Sequence, residues 1–320
     1  MPLSAQKIVV VGIGTAGTVH VRALEDIPQV TVIAGVDISA SSRLTFREND
    51  VPVYPTLFDS LSEQRLHPDV VVVATPTPTH AKICGEVGDY YPDAIIMVEK
   101  PAADSLEDAE RIISGVGGKQ PVTVAYHMAF SPEVDWGVSE TTKRARQLGL
   151  PVAVESWSAD PYQLDLDSAR ARLGTSWIDS GINALSVIER FAKPVERIWL
   201  HQHGDRNKSS FEGMFACEAS GQQLYATVLT SWYSTAPARS TRIRYSSGAE
   251  LVMDHNAVAG YIKEDGSISA MFGSSGEVPR REAHYRALHK SWLVERNEIF
   301  SSQASIRLHK LLLEAQPSPG

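Results

Sequence analysis

The chain has 320 residues, of which 43% are hydrophobic, a composition typical of a globular protein. This length exceeds what one average hydrophobic core requires, so the sequence predicts two domains. The formal net charge is −8, which provides no general attraction to nucleic acid or to an anionic membrane surface. Neither is expected as a partner.

The two cysteines, Cys84 and Cys217, lie far apart and outside any metal-ligand spacing. The sequence therefore predicts neither a disulfide scaffold nor a metal site, and it favours a reducing, cytoplasmic location. The first apolar run reads as a strand and not as a signal segment. No apolar run reaches the roughly eighteen residues needed to span a bilayer, so no membrane association is expected.

In the first half of the chain, continuous apolar runs of strand length alternate with helical segments. Such strands are buried on both faces, which predicts a doubly wound parallel sheet of the α/β class. The predicted strands are Ile8–Val11, Val30–Val36, Val70–Ala74, Ala94–Val98 and Val122–Ala125. The predicted helices are Thr18–Leu24, Ser39–Asn49, His80–Tyr90 and Ser105–Val116, with Ser39 and Ser105 as N-caps.

Beyond a helical segment at Ser131–Leu148, apolar and polar residues alternate along longer strands. Alternation indicates one covered and one open face, so we expect an open, predominantly antiparallel sheet flanked by helices. The predicted strands are Val152–Trp157, Ile198–His203, Phe211–Glu218, Leu224–Trp232 and Thr241–Tyr245. Helices are expected over Ser176–Phe191 and most of Glu282–Leu313. The predicted domains are residues 1–128 (α/β) and 129–320 (α+β).

A glycine pattern, Gly12-Ile13-Gly14-Thr15-Ala16-Gly17, joins the first predicted strand to the first helix. In a G-x-G-x-x-G turn the first glycine permits a tight turn, the second admits a dinucleotide pyrophosphate, and the third lets the helix pack closely. The helix N-terminus then faces the anion. This context predicts a Rossmann dinucleotide-binding domain, and the alternative is a βαβ turn without a nucleotide.

Asp37 ends the second strand, 20 residues after the last glycine. A carboxylate at this distance meets the adenosine ribose hydroxyls and repels a 2′-phosphate, which favours NAD. The nearby Arg43 leaves NADP open, because its guanidinium could turn toward the ribose.

Three further motifs are Ala74-Thr75-Pro76-Thr77-Pro78-Thr79-His80, Glu99-Lys100-Pro101 and Asp179-Ser180-Gly181-Ile182-Asn183. With the glycine pattern and the domain order, they make the chain resemble the glucose–fructose oxidoreductase and inositol dehydrogenase (Gfo/Idh/MocA) superfamily. The resemblance covers nearly the whole chain. It implies that the cofactor is bordered by the Thr-Pro and Glu-Lys-Pro segments, with contacts from Thr75, Pro76, Thr77, His80, Glu99 and Lys100.

The resemblance also implies that Lys100 enters the active site and that the Asp179 motif supplies the remaining catalytic groups. The usual histidine of that motif is Asn183 here, and the stretch resembles that of galactose and arabinose 1-dehydrogenases. An Asn carboxamide can orient a hydroxyl but cannot accept its proton at neutral pH, so proton transfer falls to Lys100 or Asp179. Lys100 is the first candidate, since desolvation beside a positively charged nicotinamide ring would favour the neutral amine.

Asp179 and Asn183 are four residues apart, so on a helix both would face one substrate group. The alternative is a helix-start aspartate and an ordinary polar position. A sugar pocket is expected to be lined by Trp157, Asp160, Tyr162 and Trp177, although packing in the core is the alternative for the aromatic rings. His127 is a further candidate for substrate contact, with a structural role as its alternative.

The sequence thus predicts an NAD(P)-dependent oxidoreductase that transfers a hydride between a sugar or polyol hydroxyl and a nicotinamide cofactor. An aldose 1-dehydrogenase is the most specific reading. The alternatives are an inositol or nucleotide-sugar dehydrogenase or ketoreductase, and a non-catalytic NAD(P)-binding regulator. The resemblance further implies a homodimer or homotetramer formed through the C-terminal sheet.

Overall fold

The apolar strands of the first half form a six-stranded parallel sheet in the computed structural model, which describes residues 5–46, 51–64, 66–116, 121–203, 205–217, 220–297 and 299–314. The strand order β3-β2-β1-β4-β5-β6 is that of a doubly wound dinucleotide-binding sheet. Its strands are β1 Gln6–Val11, β2 Val30–Val36, β3 Val53–Tyr54, β4 Val70–Val73, β5 Ile95–Glu99 and β6 Val122–Ala125. All four valines of β4 are buried, as expected for a strand covered on both faces.

Five helices accompany these strands: α1 Thr15–Glu25, α2 Ala40–Phe46, α3 Leu57–Gln64, α4 His80–Tyr90 and α5 Leu106–Ile113. Both predicted N-caps are confirmed, since the Ser105 hydroxyl accepts the Asp108 N–H and the Ser39 hydroxyl accepts the Ser42 N–H. The short β3 and α3 were not predicted. Residues 47–49 of the second predicted helix, like Glu218 at the end of one predicted strand, lie outside the described residues.

The second sheet has eight strands in the order β14-β13-β12-β11-β7-β10-β9-β8. Every neighbouring pair is antiparallel except β7 with β10, so the predicted, predominantly antiparallel sheet is confirmed. Its strands are β7 Pro151–Pro161, β8 Lys193–Gln202, β9 Lys208–Ala216, β10 Gln223–Ser231, β11 Tyr233–Tyr245, β12 Glu250–Asp254, β13 Ala259–Glu264 and β14 Ser267–Gly273. The last three strands were not predicted.

The remaining helices are α6 Pro132–Lys143, α7 Ala145–Leu148, α8 Leu166–Leu173, α9 Ile182–Glu189, α10 Arg280–His289 and α11 Ser302–Leu313. The predicted helix at 176–191 begins as a π-helical turn, Trp177–Gly181, that continues into α9. The predicted C-terminal helix is interrupted between α10 and α11. Among the helices in the described ranges, none has the length and apolar character needed to cross a bilayer.

The chain divides into two compact units, Met1–Ala125 with Tyr285–Ile306, and Tyr126–His284 with Arg307–Gly320. The single boundary predicted at residues 128 and 129 therefore differs from the observed division. Tyr285 and His289 explain part of the difference, because their side chains make hydrogen bonds to Glu99 and His20 in the first unit. Contacts over such sequence separations leave no local pattern from which to predict them.

The second unit buries a charged cluster beneath its sheet. Glu133 is fully buried, and its Oε1 accepts hydrogen bonds from the Ser131 hydroxyl at 2.6 Å and from His255 Nδ1–H at 2.7 Å. Burial alone would raise the pKa of Glu133, but the hydrogen bonds from His255 and Ser131 help to hold that pKa below its ordinary value. His284 Nε2 lies 3.6 Å from the same oxygen, and burial lowers the pKa of His284 to about 3.

We predict that acid destabilises the protein through His284. Its pKa is about 3 when folded and near 6.5 in the unfolded chain, so the unfolded state binds more protons between these values and stability falls as the pH drops through them. Between pH 7 and pH 5, His284 alone should lower the free energy of unfolding by about 2 kcal/mol. Urea unfolding at both pH values measures the loss.

The matched variant is His284→Gln, which should lose correspondingly less stability between the two pH values. An unchanged pH slope in His284→Gln would contradict the assignment.

Candidate active site

The glycine turn after β1 has no room for side chains at two of its three glycines. Gly12 has a φ of +85°, and a Cβ there would lie 2.7 Å from backbone atoms of Ala74 and Thr75. A Cβ on Gly17 would lie 1.9 Å from the Gly12 carbonyl oxygen. Gly12 therefore allows the turn to pack against the chain just after β4, and Gly17 allows α1 to pack against the turn.

Gly14, in contrast, faces open space. A Cβ added there meets no atom within 4 Å, and α1 begins at the next residue, Thr15. The first N–H groups of a helix, here those of Thr15, Ala16 and Gly17, have no acceptor within the helix. An open backbone beside such donors fits the pyrophosphate of a dinucleotide.

Asp37, directly after β2, is fixed beside this turn. One carboxylate oxygen accepts the Ile13 N–H at 3.0 Å and the other accepts the Ser39 N–H at 2.8 Å. Arg43 donates to the carbonyl oxygens of Asp37 and Ile38 at 2.7 and 2.9 Å. Both bonds come from Nη1, so backbone acceptors hold one nitrogen of the guanidinium. That the Asp37 carboxylate meets the ribose hydroxyls stays a prediction.

The Thr-Pro segment follows β4 at the same edge of the sheet, with Thr75 and Thr77 half-buried and Pro76 exposed. His80 was predicted to contact the cofactor, but it is buried beneath the segment. Its Nε2 lies 2.8 Å from the Thr75 carbonyl oxygen, and its Nδ1 lies 3.1 Å from that of Pro101. His80 therefore joins the loops after β4 and β5, and burial lowers its pKa.

Glu99 and Lys100 end β5 at this edge. The Glu99 carboxylate is almost wholly buried and accepts hydrogen bonds from His20 Nε2–H at 2.9 Å, the Tyr285 hydroxyl at 2.6 Å and the Lys100 backbone N–H at 3.1 Å. His20 Nδ1 lies 2.8 Å from His289 Nε2, which donates if His20 carries its proton on Nε2. Burial alone would raise the pKa of Glu99, but His20, Tyr285 and Lys100 hold that pKa below its ordinary value.

In the second unit, Asp179 lies in the π-helical turn and Asn183 in the first turn of α9. Asn183 is 7% exposed, and its amide nitrogen donates weakly, at 3.4 Å, to the Asp179 carbonyl oxygen. Its Oδ1 is buried and has no hydrogen-bond partner within the described part of the chain. A buried acceptor without a partner costs free energy unless a ligand supplies the donor.

Asp160 stands next to this motif. Its carboxylate accepts the Ser180 hydroxyl at 3.1 Å and forms an almost fully buried ion pair with Arg239. Tyr162 is half-buried, and the charges of Asp160 and Arg239 act on its hydroxyl. Burial raises the pKa of Tyr162, and the negative charges of Asp179 and Asp160 raise it further.

The two predicted tryptophans do not join this group, which corrects the predicted sugar pocket. Trp177 is fully buried, stacks on Phe211 at 5.1 Å between ring centroids, and donates its indole N–H to the Leu312 carbonyl. It is a core residue. Trp157 is 54% exposed on the open face of the sheet, whereas Asp160, an odd number of positions along β7, belongs to the covered face.

His127 begins a 3-10 turn after β6 and is 8% exposed. Its ring centroid lies 5.8 Å from that of His284, so it adjoins the buried Glu133 cluster. Sequence reasoning did not identify several polar side chains close to the predicted ones: His20, Arg239, Arg280, Arg281, Tyr285 and His289. The spacing of Tyr285 and His289 places both on one face of α10, but no motif marks this pair as partners of a strand end.

Residues 6–126 match the model of an oxidoreductase family described as having an NAD-binding Rossmann fold. The rhizopine catabolism protein MocA of Rhizobium meliloti is 29% identical over 180 residues, which cover 55% of this chain and 54% of that protein. The chain spans about half the length of the curated relatives it matches.

Solved structures resemble the fold over almost the whole chain. One is an oxidoreductase from Agrobacterium radiobacter in complex with NAD+, L-tartaric acid and magnesium, with a TM-score of 0.76, 13% identity and coverage of 97% of this chain and 94% of that one. Another is a myo-inositol dehydrogenase from Corynebacterium glutamicum, with a TM-score of 0.73, 15% identity and coverage of 96% and 94%. Over residues 6–126 the chain therefore matches the Gfo/Idh/MocA oxidoreductase family with its NAD-binding Rossmann fold, and the solved structures show a similar fold over almost the whole chain.

Proposed function

We propose that the protein is an NAD-dependent dehydrogenase that oxidises a hydroxyl group of a sugar or polyol. The observation that carries the proposal is the shared sheet edge in the first unit. Gly14, Asp37, Thr75 and Lys100 all follow carboxyl ends of parallel strands, where doubly wound folds bind their ligands. An amine at this edge is suited to act on a substrate held against the cofactor.

Different residues of this unit suit different parts of the cofactor. The α1 N-terminus and the open face of Gly14 suit the pyrophosphate, and Asp37 suits the ribose hydroxyls. Because Asp37 would repel a 2′-phosphate and Nη1 of Arg43 is held by carbonyl oxygens, NAD is favoured over NADP. When bound, NAD supplies the hydride acceptor.

Lys100 is proposed to accept the proton of the reacting hydroxyl. The backbone N–H of Lys100 is fixed by the Glu99 carboxylate, which His20 and Tyr285 hold in turn. This network restrains the backbone from which the Lys100 side chain extends. Asp179 is the alternative proton acceptor.

Asn183 is proposed to bind a substrate hydroxyl. Its buried Oδ1 can accept a hydrogen bond, and no described residue donates one. The hydroxyl of an alcohol can supply this donor. A carboxamide orients this hydroxyl without taking its proton. The resemblance of this stretch to galactose and arabinose 1-dehydrogenases supports oxidation at C1 of an aldose, which yields a lactone.

An inositol or nucleotide-sugar dehydrogenase is the second candidate, favoured by the fold likeness to a myo-inositol dehydrogenase. A spectrophotometric screen of aldoses, inositols and keto-sugars with NAD and NADP separates the candidates. Turnover of an aldose with lactone formation supports the first, and turnover of inositols alone supports the second. Binding of NAD without turnover of any polyol would instead indicate a regulator.

The open face of the second sheet is proposed to mediate self-association. Trp157 and Leu229 are neighbours across β7 and β10, and they are 54% and 43% exposed. Tyr225 is exposed on the same face of β10. Apolar side chains gathered on one face typically mark a contact with another protein, and a second copy of this chain agrees with the predicted homodimer or homotetramer.

We predict that Gly14→Ala weakens NAD binding without unfolding the protein. The added methyl meets no protein atom, but it occupies the space proposed for the pyrophosphate. NAD affinity, measured by titration, should fall at least about tenfold while the melting temperature stays unchanged. Gly12→Ala is the matched contrast, since its Cβ collides with backbone and should lower the melting temperature. Equal NAD affinity in Gly14→Ala and wild type would refute the proposed phosphate position.

We predict that Lys100→Met lowers kcat by about 10²–10⁴-fold, because the variant loses its proton acceptor. NAD affinity should change far less than kcat. Lys82→Met is the control, since Lys82 is exposed on α4 and pairs with Glu86 in the next turn. If Lys100→Met kept near-normal kcat, Asp179 would become the proton acceptor to test.

We predict that Leu229→Glu dissociates the oligomer, because it places a charge in the apolar open face. Light scattering should show a dimer or tetramer for the wild type and a smaller species for the variant, with an unchanged circular dichroism spectrum. Ile268→Glu, also exposed but on β14, should assemble as the wild type does. A monomeric wild-type protein would end this proposal.

A further inference from the structure

An arginine cluster adjoins the Asp179 motif in the second unit. Arg239, on β11, forms the ion pair with Asp160 and donates to Asn256 Oδ1 at 3.0 Å. Asp160 in turn accepts the hydroxyl of Ser180, the residue that follows Asp179. The charge of Arg239 is therefore already neutralised by a buried carboxylate.

Two further arginines lack such a partner. Arg280 and Arg281 open α10, and within the described ranges neither guanidinium makes a hydrogen bond or an ion pair. Arg280 is half-buried, and Arg281 is exposed. Burial and the positive charges of Arg239 and Arg281 lower the pKa of Arg280 to about 10, against the opposing effect of Asp160 and Glu133. The charges of Arg280 and Arg281 thus act on one another, and the described part of the chain supplies neither with a hydrogen-bond acceptor.

The position of Arg280 and Arg281 at the start of α10 adds an unfavourable electrostatic free energy. The N-terminus of a helix carries partial positive charge, so it favours anions and disfavours cations. Glu282 is the one acidic residue of the first turn of α10. Arg280 lies one helical turn from His284, so it shares a face with a ring that is itself fully buried. Asp160 and Glu133 offset only part of the effect of burial and of the neighbouring positive charges on Arg280, and an anionic ligand would offset more of it.

Tyr162 connects the pair to the catalytic motif. The charges of Asp179 and Asp160, and those of Arg281 and Arg239, all act on its hydroxyl. The motif aspartate and an arginine without a partner are therefore near the same side chain. A small molecule bound beside Asp179 lies in the neighbourhood of these cations.

We infer that the substrate carries an anionic group, a carboxylate or a phosphate, which Arg280 and Arg281 bind beside the Asp179 motif. The inference rests on the proposed dehydrogenase function and specifies its substrate class: a sugar or polyol with a hydroxyl to be oxidised and an anion elsewhere in the molecule. Arginine suits this role because its planar fork donates two parallel hydrogen bonds to carboxylate or phosphate. Ordinary neutral sugars would leave both guanidinium groups without acceptors.

The test compares substrates that differ at one carbon: D-galactose, D-galacturonate and D-galactose 6-phosphate, each with NAD. We expect kcat/KM to be at least tenfold higher for one of the two anions than for the neutral sugar. The carboxylate and phosphate arms identify which anion the site takes. Equal or higher kcat/KM for the neutral sugar would overturn the inference and leave the proposed dehydrogenase intact.

Substitutions of the two arginines test whether they bind the anionic group of the substrate. In Arg280→Gln and Arg281→Gln, the ratio of kcat/KM for the anionic over the neutral substrate should fall at least tenfold, mainly through KM. Arg172→Gln removes an exposed arginine of α8 in the same unit and should keep the wild-type ratio. Melting temperatures identify any variant that does not fold. An unchanged ratio in both folded variants would show that the anion is not bound here.

A binding measurement separates this inference from the proposed function. Malonate and inorganic phosphate serve as probes, and at least one should bind the wild type with an affinity that falls at least tenfold in the Arg280→Gln, Arg281→Gln double variant. If the probe binds in this way but no polyol is turned over, the anion site stands and the dehydrogenase proposal fails. Equal probe affinity in wild type and double variant overturns the site.

Discussion

The buried carboxylate of Glu99 is the constraint on which the first unit depends. An ionised carboxylate removed from water costs several kcal/mol unless its lone pairs are satisfied. His20, Tyr285 and the Lys100 backbone N–H satisfy them, and these donors come from α1, from α10 and from the strand end itself. One acidic side chain thereby fixes both a helix from the far end of the chain and the lysine proposed to be catalytic.

The second unit uses the same chemistry at Glu133. There His255 and Ser131 supply the donors, and His284 stands at 3.6 Å. In both units a buried carboxylate keeps its charge because histidine partners compensate for the lost water. The histidines with lowered pKa values, His284 and His289, explain why the folded state should tolerate acid poorly.

The proposed ligand-binding groups are those to which the described residues supply no contact or hydrogen-bond partner. Gly14 leaves space, and among the described residues the Asn183 side-chain oxygen has no donor and the Arg280 and Arg281 guanidinium groups have no acceptor. Folded proteins rarely tolerate such groups without a reason, because each one costs free energy. Together they suit the binding of a dinucleotide, a hydroxyl group and an anion.

Local patterns in the chain were sufficient to predict the class of each sheet and most of its strands, the N-caps Ser39 and Ser105, and the glycine turn, because each depends on residues close in sequence; β3 and β12 to β14 were missed. They were not sufficient for Trp157, because alternation along a strand shows that two faces differ but only packing shows which face is covered, nor for Trp177, which only tertiary packing on Phe211 places in the core. Tyr285 and His289 were missed for a related reason. Their partners are 186 and 269 residues away, so only the folded chain brings the acidic strand end and these side chains into hydrogen-bond distance.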